Sequence, residues 1–345
     1  MTYDLTTTVS AIIVSFSDPQ ATRGAVESLL AQSHPPIEIL VADNHPDART
    51  ANAMSAWRPD ARVRLVHSGE NLGYTGACNA AAAQARGEWL FFLNPDARAD
   101  PACLATLANA VDSRCGVAGA QVLLPDSRTN AGDNPVHITG IAWSGRFGEA
   151  REYGLSREVG SVSGAALLAR AQAFGEAGGM CERLFMYEDD VDLCWRVRLT
   201  GWTVRFCPDA VVWHEYEFDK GTMKWFWLER NRLWTVFSNY SVLTLALLAP
   251  LLLGTELMVA AQAIRGGWTH RLLRAWGSVM LGLPDLIRWR RRVQRARRVG
   301  DREIMERMSG RVQTSLLESP LTLRVNPLLA AYRRIVLAVL GVVGA

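Results

Sequence analysis

The sequence predicts an α/β fold: a doubly wound, mostly parallel sheet flanked by helices. Three observations predict it. Short apolar runs at residues 9–16, 37–43, 63–67, 88–93 and 117–124 alternate with helical segments. These runs are nearly continuously apolar, as strands covered on both faces of a parallel sheet are. Polar residues stand where the runs stop, at Asp43 and at Asn94-Pro95-Asp96. In an open α/β sheet, ligands sit beyond the carboxyl ends of the strands.

Each element follows in order. Residues 9–16 give the first strand, 19–32 an amphipathic helix, and 37–43 a second strand ending in a carboxylate. Residues 49–57 are helical and 63–67 form a third strand. The Ala-rich helix 73–86 leads to the strand 88–93, and 101–113 is a further helix with Pro101 in its first turn. Residues 117–124 are another strand. Residues 125–157, rich in Gly, Asn, Asp and Arg, lack periodicity and are expected to be a long loop or hairpin region. Long irregular segments in compact domains are often functional. Residues 159–169 form a core strand, 190–200 a helix whose N-terminus the acidic cluster caps, and 202–206 and 210–213 two short strands.

The length, 345 residues, suits one large α/β domain plus an appendage. Hydrophobic residues at 49% and charged ones at 21% give a packed core and exclude wholesale disorder. The six cysteines form no Cys-x-x-Cys pair, so neither a zinc site nor a disulfide framework is indicated, and they suit a reducing cytosol. Residues 1–8 lack an apolar signal core.

The expected division is a catalytic domain over 1–240 and a helical, basic, membrane-associating region over 241–345. Residues 225–240 are aromatic and basic. Residues 242–264 are apolar and long enough to span a bilayer. Pro250 and Glu256 within them favour a bent, re-entrant or interfacial helix pair over a straight span. Residues 265–302 carry eleven arginines against two aspartates, a net +9 on a chain whose total is +3, which leaves −6 elsewhere. Trp268, Trp276 and Trp289 interleave with these arginines, as suits a headgroup layer, and the run suits anionic cytoplasmic lipid. A solvated basic helix is the plain alternative. A short apolar end, 335–345, closes the chain.

Several residues carry candidate chemistry, each beside a structural reading. Asp96 can hold a hard divalent cation against a diphosphate, or it completes a turn. Asp43 can bond a ribose or base edge, or it belongs to an Asp-Asn turn. The N–H groups of Asn71-Leu72-Gly73-Tyr74 can face a phosphate, or Asn71 is an N-cap. Glu188, Asp189 and Asp190 are adjacent carboxylates, tolerated best near cations or a helix N-terminus. One of them facing a cleft serves as general base; the alternative is capping by Asp189 or Asp190 with the others solvated. His214 ends an apolar strand and can bind a metal, though a lone histidine is more often structural.

Taken as an ordered set, Val-Ser-Ala-Ile-Ile-Val-Ser-Phe (9–16), Ile-Leu-Val-Ala-Asp-Asn (39–44), Asn-Leu-Gly-Tyr (71–74), Phe-Leu-Asn-Pro-Asp (92–96), Tyr-Glu-Asp-Asp-Val-Asp-Leu-Cys-Trp-Arg (187–196) and Val-Val-Trp-His (211–214) closely resembles family 2 glycosyltransferases. The bacterial rhamnosyltransferase-like branch is the nearest in look, and the resemblance covers roughly residues 9 to 240. It implies a GT-A fold, a nucleotide-diphosphate sugar donor, a divalent cation (Mg2+ or Mn2+) and inversion at the anomeric carbon. By position it implies that Asp43 contacts the nucleobase and that Asp96, with Asn94 at the first position of the Asp-x-Asp motif, touches the metal. It further implies that Asp190 is the catalytic base, that His214 helps hold the metal or diphosphate, and that Arg230 and Asn231 face the diphosphate or acceptor. Two departures stand out: Asn94 replaces the motif's first Asp, and the first strand ends Ser-Phe-Ser-Asp (15–18) where the family often has Tyr-Asn.

The function expected is transfer of a sugar, rhamnose first, to a hydroxyl of a growing cell-envelope polysaccharide. The acceptor is expected to be polyprenyl-linked, at the cytoplasmic face of a bacterial inner membrane. Two other classes stand beside it. One is a basic nucleic-acid- or membrane-binding protein resting on the arginine run; the other is an inert GT-A scaffold. The nucleic-acid reading lacks a recognisable module and leaves the acidic cluster idle, so no nucleic-acid partner is expected.

Overall fold

Strand β1 (Val9–Ser15) lies inside the sheet and is buried along its whole length. The computed structural model describes residues 7–57, 60–215, 221–313 and 320–343, apart from the side chains of 55–57 and 320–323. From β1 the chain runs through α1 (Pro19–Leu30), β2 (Glu38–Asp43), α2 (Arg49–Trp57), β3 (Val63–His67), α3 (Gly73–Ala82), β4 (Trp89–Leu93), β5 (Ala97–Ala99) and α4 (Cys103–Ala110). There follow β6 (Cys115–Leu123), β7 (Thr129–Ala131), β8 (Arg157–Glu158), β9 (Ala166–Arg170), α5 (Ala171–Glu176), α6 (Asp189–Leu199) and β10 (Thr203–His214). The remainder is helical: α7 (Met223–Asn239), α8 (Val242–Arg265), α9 (Thr269–Leu281), α10 (Leu283–Ala296), α11 (Asp301–Glu306) and α12 (Pro320–Val343).

The strand order is β3-β2-β1-β4-β9-β6-β10-β5, with β7 on β6 and β8 on β10. β3, β2, β1 and β4 pair in parallel, as expected. The second half is mixed. β9 runs antiparallel between β4 and β6, with Leu93 opposite Ala166. The sheet is thus mixed, with helices on its faces as expected, and the reversal places the start of β9 beside the carboxyl end of β4. Neighbouring residues of one strand divide between two cores. Ala11, Ile13, Val41 and Phe91 pack on one face, and Ile12, Val14, Leu40 and Phe92 on the other. That alternation explains why these strands are apolar at every position.

The segments expected as two short strands, 202–206 and 210–213, are one strand, β10. Its register shifts between Cys207 and Val211, where Pro208 has no N–H to give the ladder. The long segment 125–157 carries only β7 and an end at β8.

The described chain divides into two compact units: 1–134 with 144–197 and 202–217, and 135–143 with 198–201 and 218–345. The division falls before the expected residue 240 and gives α7 to the second unit. In that unit α8 is one continuous helix through Pro250, which corrects the expected helix pair. Pro250 at the helix's exposed face removes one backbone hydrogen bond without ending the helix. Of the apolar end at 335–345, residues 335–343 are part of a longer helix, α12, and 344–345 lie outside the described residues. Glu256 is held by Arg232, which also meets Glu229 and donates to the Thr139 carbonyl at 2.8 Å. The indole of Trp276 donates to Glu256 at 2.8 Å.

Part of the arginine run works inside this unit. Arg290 donates to the carbonyls of Phe237 and Tyr240, Gln294 to those of Ser238 and Asn239, and Arg297 to that of Asn239. These donors satisfy the last carbonyls of α7, which have no partner within the helix. The expectation that the whole run faces lipid is corrected for Arg290 and Arg297.

Candidate active site

The site is assembled by register. β10 pairs antiparallel with β5 so that His214 stands opposite Ala97, one residue past Asp96. The Glu215 N–H donates to the Asp96 carbonyl at 3.0 Å and ties the two chain ends together. His214 Nε2 then lies 3.0 Å from Asp96 Oδ1 and 3.3 Å from Asn94 Nδ2. Its Nδ1 lies 3.3 Å from Asn130 Oδ1. Both His214 and Asn130 are buried.

The same end of the sheet receives Asp190. The Asn94 N–H donates to the Ala165 carbonyl at 3.0 Å. The next residue back, Gly164, donates its N–H to Asp190 Oδ2 at 2.8 Å. Val191 N–H donates to Asp190 Oδ1 at 2.8 Å, and the Tyr74 hydroxyl donates to the Gly164 carbonyl at 3.3 Å. Asn94, Asp96, His214 and Asp190, distant in sequence, are therefore gathered at one end of the sheet.

Burial sets the electrostatics. It raises the Asp190 carboxyl above its ordinary range, against the Gly164 and Val191 N–H groups that favour its ionised form. Asp189 is pushed from 3.8 to about 8 by burial first and by the Asp190 charge second. The segment leading in is strained: Phe185, Tyr187 and Glu188 have φ of +66°, +66° and +60°. Such backbone persists only where its surroundings fix it. Here the Phe185 carbonyl accepts the Tyr74 N–H at 2.7 Å and the Thr75 N–H at 3.3 Å. Asp192, the last acid of the cluster, is structural: it is fully buried and paired with Arg196 at 2.7 Å.

Other expected site residues have structural tasks. Three N–H groups of Asn71-Leu72-Gly73-Tyr74 have partners within the protein. Leu72 N–H donates to Asn44 Oδ1 at 2.8 Å, Gly73 N–H to Asn71 Oδ1 at 2.9 Å, and Tyr74 N–H to Phe185 as above. The loop that carries Asn71 and Gly73 is braced by Asn44. Asp43 is buried and accepts N–H groups from His45 at 3.3 Å and Ala51 at 2.8 Å. It shapes the turn after β2 and anchors the start of α2. Arg230 and Asn231 lie on α7 in the second unit, both buried, with Arg230 donating to Asn231 Oδ1 at 2.9 Å. Asn44, Gly164 and Asn130 were missed from sequence. Asn44 follows Asp43 at a strand end, but nothing local marks Gly164 or Asn130.

Among the described residues no three His, Cys, Asp or Glu side chains gather as a metal set. Two atoms, Asp96 Oδ1 and His214 Nε2, could each give a lone pair to one cation; without it their 3.0 Å contact is a hydrogen bond from the ring N–H to the carboxylate. Their separation is that of adjacent ligands about 2.1 Å from one small cation. The residues fit a divalent ion completed by substrate oxygens.

A mixed α/β sheet with helices on both faces and acids at the carboxyl end of β4 is the GT-A glycosyltransferase architecture. The fold matches GalNAc-T7 solved with UDP, GalNAc and Mn2+, at TM-score 0.55 and 14% identity, over 67% of this chain and 48% of that one, so this chain spans about half the length of GalNAc-T7. It also matches mannosyltransferase PcManGT of Pyrobaculum calidifontis, solved with GDP-Man and Mn2+, at TM-score 0.51 and 18% identity, over 86% and 89%. Residues 10–178 match the family described as Glycosyl transferase family 2. N-acetylglucosaminyl-diphospho-decaprenol L-rhamnosyltransferase of Mycobacterium tuberculosis is 31% identical over 244 residues, 63% of this chain and 79% of the relative. O-antigen biosynthesis protein RfbC of Myxococcus xanthus is 32% identical over 55% of this chain and 16% of its own. The chain belongs to glycosyl transferase family 2.

Proposed function

We propose that this protein transfers a sugar, rhamnose in the first instance, from a nucleoside-diphosphate donor to a hydroxyl of a polyprenyl-linked saccharide in cell-envelope polysaccharide synthesis, with inversion. The observation that carries this reading is the meeting of Asp96, His214 and Asp190 at one end of the sheet. The sugar and acceptor rest on the likeness to the mycobacterial rhamnosyltransferase.

Asp190 is the general base. Its carboxylate is aimed by Gly164 and Val191 N–H groups, so it takes the acceptor proton without reorienting. Attack by that hydroxyl on the face opposite the leaving diphosphate is one displacement, which inverts the anomeric centre. Asp96 and His214 would hold a divalent cation, with Asn94 beside them. When bound, such a cation neutralises the diphosphate charge that develops on departure. Asp43 sets the turn against which the base of the nucleotide lies. Arg230 and Asn231 are assigned to the diphosphate or acceptor on their position after the catalytic segment alone.

The second unit is proposed to hold the enzyme at an anionic membrane surface, on the cytoplasmic face of the inner membrane. Two described helices, 242–265 and 324–343, are long and apolar enough to cross a membrane. Leu253, Leu257 and Ile264 on α8 and Leu328, Ile335 and Val342 on α12 are exposed, a pattern that water alone does not explain.

The decisive experiment screens nucleotide sugars for Mn2+- or Mg2+-dependent thermal stabilisation, since a ligand of the folded state raises its melting point. A dTDP-sugar stabilising only with the metal is the expected result. Stabilisation by no nucleotide sugar, with metal or without, overturns the reading.

A further inference from the structure

We propose that the corner between α9 and α10 is a membrane wedge: its aliphatic tip enters the acyl boundary of an anionic bilayer while the outer arginines of α10 rest among the lipid phosphates. The proposal rests on the reading of the second unit as the membrane-facing part, and it names the surface that makes the contact. Three observations carry it.

The first is the division of the arginine run by helix geometry. Residues three and four apart share a helix face. Leu286, Arg290, Val293, Gln294 and Arg297 share the inner face of α10: Leu286 and Val293 are buried, and Arg290, Gln294 and Arg297 donate to the last carbonyls of α7. Arg288, Arg291, Arg292 and Arg295 fall on the opposite face, and all four are exposed. A run that is uniform in sequence is thus a clamp on one side and a cationic stripe on the other. Asp285 pairs with Arg288 at the start of that stripe.

The second is the tip. At the end of α9, Met280 is 69% exposed and Leu281 87%. Leu283 and Ile287, in the first turns of α10, are exposed as well, and so is Pro284. The outer face of α10 therefore begins aliphatic and turns cationic. Large apolar side chains left together on a surface mark a place of contact.

The third is rigidity. One residue, Gly282, joins the two helices. A Cβ there would lie 3.0 Å from the Trp234 ring of α7 and 3.0 Å from the Ser278 carbonyl, so the turn is seated on α7. With the arginine clamp behind it, the tip is held facing outward.

Tip and stripe together match a layer that is charged at its phosphates and oily beneath them. Arginine stems lie along apolar surface and keep their guanidinium groups in the polar layer. Interfacial helices bury their apolar face about 5–10 Å into the headgroup boundary. Two helices of the same unit are long and apolar enough to cross a membrane.

The test uses the full chain. The six native cysteines are buried, so a nitroxide attached to Leu281→Cys reports the tip. Cosedimentation with vesicles of phosphatidylglycerol and phosphatidylcholine measures binding, and the label's accessibility to oxygen against a water-soluble nickel complex measures depth. The label is expected to pass from water into the acyl boundary on binding. Leu281→Glu with Leu283→Glu is expected to weaken binding by about tenfold or more, with the melting temperature preserved. Replacing Arg288, Arg291, Arg292 and Arg295 by Gln is expected to weaken it similarly and to flatten its salt dependence. A label that stays in water on vesicle-bound protein, or unchanged binding by the Leu281→Glu, Leu283→Glu protein, overturns the wedge and leaves the membrane reading to another surface. A wild type that binds no vesicle overturns both. Dipolar broadening of the label without vesicles assigns the tip to a second copy of the chain, and retention on a DNA duplex but not on vesicles assigns the stripe to nucleic acid; either result overturns the proposal.

Discussion

Asp190 and Asp189 are neighbours in sequence for which different tasks are proposed, and two substitutions distinguish them. Asp190→Asn removes the proton acceptor but keeps its size. It is expected to lower turnover by about 10²–10⁴-fold with donor binding retained; unchanged turnover removes Asp190 from the mechanism. Asp189 acts on stability. Its folded value of about 8 lies above its ordinary 3.8, so the folded state holds the proton more tightly than the unfolded chain. That contribution is full below pH 4, fades as pH rises, and is gone above the folded value near 8. Asp189→Asn cannot ionise. Between pH 6 and 9 the wild type is expected to lose roughly 2 kcal/mol that this variant keeps, measured by denaturant unfolding at both pH values. Equal losses would contradict a protonated Asp189.

The α3 entry and α6 show how an element's backbone fixes a site. Gly73 has φ +70°, and a Cβ there would lie 2.4 Å from the Phe185 ring and 2.7 Å from the Phe185 carbonyl. Gly73→Ala is therefore strained in backbone and displaces the strained 185–188 segment that leads into Asp190. The expected cost is about 1–3 kcal/mol for the conformation alone, with a fall in turnover measured beside it. On α6, Arg196 holds Asp192 and also donates to the Gly179 carbonyl at 2.7 Å. Arg196→Met strands a buried carboxylate and is expected to cost about 3–5 kcal/mol, whereas Asp192→Leu with Arg196→Met is expected to cost less. Equilibrium unfolding of the single and double variants decides it.

At the scale of the whole molecule, the proposed membrane contact belongs to the second unit. Arg290 and Arg297 close α7, while Arg288, Arg291, Arg292 and Arg295 are exposed. The expected outcome is binding to vesicles containing phosphatidylglycerol that weakens with salt. Leu253→Glu with Leu257→Glu, on the exposed face of α8, is expected to weaken that binding at least tenfold with the melting temperature preserved. Equal binding by the double variant would move the membrane contact elsewhere.

The sequence by itself determined the parallel half of the sheet, its carboxyl-end acids and the family, because burial on both faces imposes an unmistakable apolar run and because six motifs recur in fixed order. The same motifs singled out Asp96, Asp190 and His214, which the fold gathers at one end of the sheet. Tertiary structure alone decided the antiparallel β9, the single bulged β10, and the contacts of Gly164 with Asp190 and of Asn130 with His214. These depend on which strand lies beside which, over separations of up to about a hundred residues, and local pattern carries no record of such pairing. It also fixed the partners of the loop before α3: the Leu72, Gly73 and Tyr74 N–H groups meet Asn44, Asn71 and the Phe185 carbonyl, contacts that no local pattern records.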